Sequence, residues 1–88
     1  NVMNAPKYYR HWTESEHGEG TVYFELLDSW ITRQIEVFEQ KFIWCDENGC
    51  SDERAMLSDQ PVDIATLKDA IEIDKSEFEG LWERRPKI

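Results

Sequence analysis

The chain reads as a single α+β domain: a four-stranded antiparallel β-meander with two short C-terminal helices packed on one face. Three observations predict it. Four runs before residue 46 are aromatic-rich or alternate apolar and polar residues with period two. The later runs are joined by links short enough for hairpins. The C-terminal third then changes to helical spacing and closes on a capping-box sequence. The domain spans residues 7–85. Residues 1–6 form a tail in which Met3 is a candidate native start, with Asn1 and Val2 as additions ahead of it.

The first strand is the run KYYRHWT from Lys7 to Thr13, with Tyr8, Arg10 and Trp12 on one face and Tyr9 and His11 on the other. ESEHGEG, from Glu14 to Gly20, is polar and holds two glycines, so it reads as a loop. Thr21 to Leu27 alternates, with Val22, Phe24 and Leu26 opposite Thr21, Tyr23 and Glu25. Asp28-Ser29 is a two-residue polar break. The run from Trp30 to Glu39 sets Ile31, Arg33, Ile35 and Val37 against Trp30, Thr32, Gln34, Glu36 and Phe38. A short link then leads to a fourth strand, Phe42 to Cys45.

Asp46 to Gln60 is irregular, and Pro61 stops strand pairing at its own nitrogen. Asp63 is placed to cap a short helix through Ile64, Leu67, Ala70 and Ile71. Asp74-Lys75-Ser76-Glu77 has capping-box spacing, and Ile73 and Phe78 are spaced for a hydrophobic staple. Phe78, Leu81 and Trp82 form the apolar stripe of the last helix, and Arg84 and Arg85 follow where cations favour the dipole. The expected core is Tyr8, Trp12, Val22, Phe24, Leu26, Ile31, Ile35, Val37, Leu67, Phe78, Leu81 and Trp82.

Composition excludes several functions. The 88 residues carry 10 Lys+Arg against 19 Asp+Glu, a formal charge of −9. Affinity for phosphate rests on clustered Lys and Arg, so nucleic acid is not the expected partner. A hydrophobic share of 40% is too high for a disordered acidic tail. No apolar run approaches the ~20 residues that span a bilayer, and no charged-then-apolar leader appears, so a cytoplasmic setting without membrane contact is expected. No glycine-rich phosphate loop, nucleophile motif or pair of metal-spaced histidines is present, so neither an enzyme nor a cofactor is expected.

The remaining candidates are single residues and patches. Cys45 and Cys50 bracket CDENGC; a hairpin would oppose them, but two cysteines in a reducing compartment favour free thiols over a disulfide or metal. His11 and His17 have no partner in a catalytic motif. Arg33 lies on the face expected to be buried, where a guanidinium must pair or snorkel; a structural ion pair that docks a helix is favoured over ligand binding. Glu25 on the neighbouring strand, though it alternates onto the other face there, and acids of the late helices are its candidate partners. Between Asp46 and Asp63, six acids and one base leave a charge of −5. That segment fails the EF-hand spacing at its third and last ligands.

Several of these runs resemble a known family. Trp30, Arg33, Ile35, Glu36, Val37 and Phe38 stand at a W-x-V-R-K-V-E-I-F strand motif. Trp44, Asp46 and Glu47 stand at a Y-A-D-E-like strand end, and Ile73, Lys75, Glu77, Phe78, Glu79 and Trp82 at an I-S-K-x-E-F-E-x-x-W helix. Together they are similar to a family of small bacterial proteins catalogued only as a domain of unknown function. The resemblance covers most of the chain after Lys7. It departs at ESEHGEG, where relatives carry a proline-containing loop, and between Asn48 and Arg54, which lack a glycine pair. It implies the same fold and a cytoplasmic bacterial setting, carries over no catalytic residue because none is established, and leaves function open.

With helices on one face only, Tyr9, Trp30 and Phe38 would point outward as aromatic anchors, rimmed by Asp46, Glu47, Asp52 and Glu53. The expected function is a non-catalytic module that binds a basic protein partner, as toxin-neutralising proteins do, or pairs with itself through the aromatic face. The alternative is a small-molecule or metal site built from the acidic loops with His17 or the cysteines. Arg33, Asp74, Glu77, Phe78 and Trp82 are assigned structural roles.

Overall fold

The computed structural model describes residues 5–87, so the reading of Asn1, Val2 and Met3 lies outside the described residues. β1 (Lys7–Ser15), β2 (Gly18–Leu27), β3 (Trp30–Phe38), β4 (Lys41–Asp46), β5 (Gly49–Cys50) and β6 (Ile71–Ile73) form one antiparallel sheet in the order β5-β4-β3-β2-β1-β6. One α-helix, α1 (Lys75–Glu83), follows β6. The expected four strands and two helices are therefore wrong on both counts, and the molecule is mostly sheet.

Each difference has a local cause. β1 and β2 run on through the glycine- and glutamate-rich stretch, with Ser15 opposite Gly18 and only Glu16-His17 left as the turn. The ladder itself satisfies the backbone there, so weak strand propensity does not stop it. The segment expected as the first helix closes bonds at a spacing of three: Leu67 N donates to Ile64 O and Ala70 N to Leu67 O. A single 3-10 turn, Ile64–Thr66, results, capped by Asp63, whose Oδ1 accepts from Ala65 N at 3.0 Å. Ile71 then enters β6, placing Ile71 opposite Arg10 and Ile73 opposite Tyr8.

Asp28-Ser29 makes the tight β2–β3 hairpin, and both residues have positive φ (50° and 75°), the backbone of a type I′ turn. Cys45 and Cys50 stand directly opposite each other across β4 and β5, their Cα atoms 4.0 Å apart, and are disulfide-bonded. The expectation of free thiols is overturned: the hairpin geometry decides the pairing. With it goes the cysteine argument for a reducing cytoplasm. Among the described residues no helix is long and apolar enough to cross a membrane.

Both faces of the sheet are covered. On one, α1 lays Phe78 and Trp82 against Tyr8 and Ile35, with Tyr23, Val37, Phe42, Trp44, Ile73 and Leu81 packed around them. On the other, the chain between β5 and β6 crosses beneath the strands. It is tied at Val62, whose N–H donates to Ser29 O at 2.7 Å. Ile64, Leu67 and Ala70 then pack on Tyr9, Val22, Phe24, Leu26 and Ile31.

At the start of α1, Asp74 is the N-cap, but its side chain makes no cap hydrogen bond. Its carbonyl accepts from Glu77 N and Phe78 N instead, so Asp74 and Glu77 do not act as a side-chain capping box. At the far end the Arg85 guanidinium lies over Trp82 and Trp44, at 4.2 and 5.0 Å from the ring centroids. Arg85 Nη1 also donates to Trp82 O, and Trp44 Nε1 donates to Pro86 O at 2.9 Å. These contacts lock the C-terminal end to β4.

Candidate functional site

The most organised polar cluster begins with a bulge in β3. Glu25 pairs with Arg33 and Leu26 with Ile31, so Thr32 is the extra residue. The irregularity turns Thr32 and Arg33 to the same side and moves Ile31 to the opposite face. Ile31 therefore packs under the sheet, not beside Arg33 as simple alternation expects. Glu25, directly across from Arg33, shares its face.

Arg33 grips two carboxylates. Nε and Nη2 donate to Glu25 at 2.9 and 2.7 Å, while Nη1 and Nη2 donate to Glu79 of α1 at 3.0 and 2.9 Å. Thr32 Oγ1 donates to Glu25 Oε1 at 2.7 Å and Tyr8 OH to Glu25 Oε2 at 2.8 Å. The guanidinium also lies 5.0 Å from the ring centroids of both Phe78 and Trp82. Hydrogen bonds from Arg33 hold Glu25 down to about 2. Burial, reinforced by the bond to Glu25, pushes Tyr8 up to about 12. Glu79 is lowered by Arg33, and Arg33 is raised by Glu25. Neither Glu25 nor Tyr8 changes protonation near neutral pH, so the cluster supplies no acid–base pair. It joins sheet to helix.

Beside this cluster lies an open depression of about 250 Å³ lined by Glu25, Thr32, Arg33, Asp46, Glu47 and Asn48. The two-residue turn Glu47-Asn48 brings the β4–β5 hairpin tip there, with Asp46 Oδ1 accepting from Asn48 N at 2.8 Å. Arg33 is fully engaged by Glu25 and Glu79. Asp46 and Glu47 make no ion pair among the described residues, so the rim carries uncompensated negative charge. Trp30, two residues before Thr32, is 48% exposed at the same end of the sheet.

The other expected site residues are elsewhere. Tyr9 and Phe38 are buried, which overturns their reading as outward anchors and removes the basis for self-association through an aromatic sheet face. Tyr9 lies beneath the crossing segment and stacks on Phe24 at 5.5 Å. Phe38 lies opposite Gly20, whose missing side chain leaves room for the ring, and the His17 ring packs 5.3 Å away. Asp52 sits on the underside, its carboxylate 3.4 Å from Lys41 Nζ and accepting from Arg54 N; that backbone bond lowers its pKa. Glu53 is exposed next to it. His17, Asp52 and Arg54 share a second depression, of about 160 Å³, with Glu16 and Glu36. No group of three metal-ligating side chains is found among the described residues.

The strand pattern predicts Trp12 in the core, but the structure leaves it 56% exposed. The nine residues of α1 span about 13.5 Å, while nine residues of β1 span about 30 Å. The helix covers Tyr8 but not Trp12. Relative element length was the signal that could have shown it. Thr32 and Asn48 were also missed, since a bulge and a two-residue turn bring them to the depression. No family model, curated protein or solved structure matches the chain.

Proposed function

We propose that the protein is a non-catalytic interaction module that binds a basic protein partner. The observation that carries this reading is the rim of uncompensated carboxylates, Asp46 and Glu47, with an exposed Trp30 at the same end of the sheet, on a chain of charge −9. An aromatic anchor within a charged rim is a common arrangement of binding hot spots. Complementary charge raises the association rate and rejects wrong partners more than it adds affinity. The metal-binding alternative loses its thiolate ligands, because Cys45 and Cys50 are bonded to each other.

The test is capture of partners from host lysate at low and high salt, with the Asp46→Lys/Glu47→Lys variant and Trp30→Ser alongside wild type. A basic protein held by wild type, released at high salt and not held by either variant supports the reading. Native mass spectrometry showing a bound metal or metabolite and no protein partner would overturn it.

A further inference from the structure

The longest open edge of the sheet belongs to β1. β6 pairs only with Tyr8, Tyr9 and Arg10, whereas β1 continues to Ser15. Just before β6 the chain lies under the sheet, where Ala70 packs against the cluster of Tyr9, Val22 and Phe24. His11 to Ser15 therefore have β2 on one side and, among the described residues, no strand on the other. The opposite edge is short and partly closed: Ser51 N donates to Trp44 O, and Trp44 N donates to Ser51 Oγ. Open edges are usually blunted by charged side chains, Lys above all, by Pro or by a bulge. The segment HWTES has no Lys or Pro, its one charge is Glu14, and its pairing with β2 shows no register shift.

On the helix side, this edge carries Trp12 and Glu14. The register sets Glu14 directly opposite Glu19 and Trp12 opposite Thr21. Like charges facing each other across strands are destabilising, and neither glutamate forms an ion pair among the described residues. Among the described residues, an edge with no strand beyond it, its Trp12 O met only by the neighbouring His11 Nδ1 at 2.9 Å, thus lies next to an exposed indole and two opposed carboxylates, a combination complementary to a cationic strand.

We infer that His11–Ser15 take an extended, cationic segment of a partner protein by strand addition. Main-chain bonds align the segment, one Lys or Arg sits against Glu14 and Glu19, and a second lies over Trp12. Successive side chains of a strand alternate in face, so the cations stand two residues apart. Trp12 and Glu14 are themselves two apart on one face, which matches that spacing. Five residues at about 3.4 Å each give an edge of roughly 17 Å, enough for a segment of five or six residues.

A second copy of the chain fits the edge less well. β6 blocks Arg10, so a two-fold pairing limited to residues 11–15 centres on Thr13 and sets Trp12 against Glu14 of the other copy. That gathers Glu14 and Glu19 from both copies onto one face, between two chains each of charge −9. Sliding to the register that would pair Arg10 with Glu14 is sterically closed.

The inference rests on the basic-partner reading, and the experiment separates the two. The probe is acetyl-Thr-Arg-Thr-Arg-Thr-Arg-Thr-amide, compared with the same peptide N-methylated at every residue, which keeps the charge but cannot join a ladder. Full-length protein is titrated at low salt and followed by amide NMR shifts and hydrogen exchange. The expected result is protection at those alternate amides of residues 11–15 that face away from β2, and loss of at least about tenfold in affinity for the N-methylated peptide, for Trp12→Ser and for Glu14→Gln/Glu19→Gln. These three residues are exposed, so the variants keep the fold. Equal binding of the N-methylated peptide overturns strand addition. Binding that is lost only in Asp46→Lys/Glu47→Lys overturns this docking line and leaves the module reading standing. No binding of either peptide to wild type overturns both.

Discussion

At the scale of single residues, Arg33 is the side chain that joins the sheet to the helix. It holds Glu25 of β2 and Glu79 of α1 while facing the rings of Phe78 and Trp82. Arg33→Met keeps the bulk but strands a largely buried carboxylate. Breaking a fully buried pair costs ~3–5 kcal/mol, and this one is partly open to solvent, so a loss of about 2–3 kcal/mol is expected from urea unfolding at pH 7. The pH dependence supplies a second check. Glu25 is held at about 2, below its ordinary 4.5, so its contribution is present above pH 4.5 and is lost as the pH falls toward 2. In Arg33→Met the stranded carboxylate escapes by protonation. The penalty of the substitution should therefore shrink between pH 7 and pH 3; a constant penalty would mean that packing, not charge, holds the helix.

At the scale of elements, two glycines give opposite answers to the same change. Gly80 is in α1, and a methyl added there meets nothing within 4 Å. Gly80→Ala should stabilise by about 0.5–1 kcal/mol, seen as a higher urea midpoint. Gly20 faces the Phe38 ring, and a methyl there runs into Val37 O and that ring. Gly20→Ala should cost about 2 kcal/mol or more, because backbone cannot move aside cheaply. The Cys45–Cys50 bridge closes a loop of few residues at the sheet edge. Its reduction should cost about 2 kcal/mol and leave β1 to β4 intact by circular dichroism.

The inner strands were legible because their apolar residues alternate over long runs, and α1 was legible from the spacing of Phe78, Leu81 and Trp82. The three-residue β6 is too short to show a period. Ile64, Leu67 and Ala70, three apart, suit either an α-helix or a string of i→i+3 turns, and only their packing on the underside decides. The bulge at Thr32 leaves no mark in the pattern, yet it reverses the face of Ile31. CDENGC makes a disulfide geometrically possible, but cysteine count and compartment point to free thiols, and only the paired hairpin decides. Of the candidate surface, the acids and Trp30 can be named from sequence; the meeting of Asp46 and Glu47 with Arg33 depends on the hairpin turn.

At the scale of the molecule, the sheet separates two small cores that do not touch. Phe78 is fully buried on the helix side, and Leu67 is half-buried beneath. Phe78→Ala should cost about 3–5 kcal/mol and Leu67→Ala about 1–2 kcal/mol. Because no partner is shared, the double variant should lose the sum to within about 0.5 kcal/mol. A marked excess or shortfall would show that the two sides communicate through the strands. The same arrangement bears on synthesis. Tyr8 and Ile35 are made before the residues that cover them, Ile73, Phe78 and Trp82. A nascent chain ending before β6 can pair its first hairpins but exposes their apolar side. The helix-side core therefore closes only once α1 has been made, and chaperones that recognise bare apolar strands have their opportunity until then.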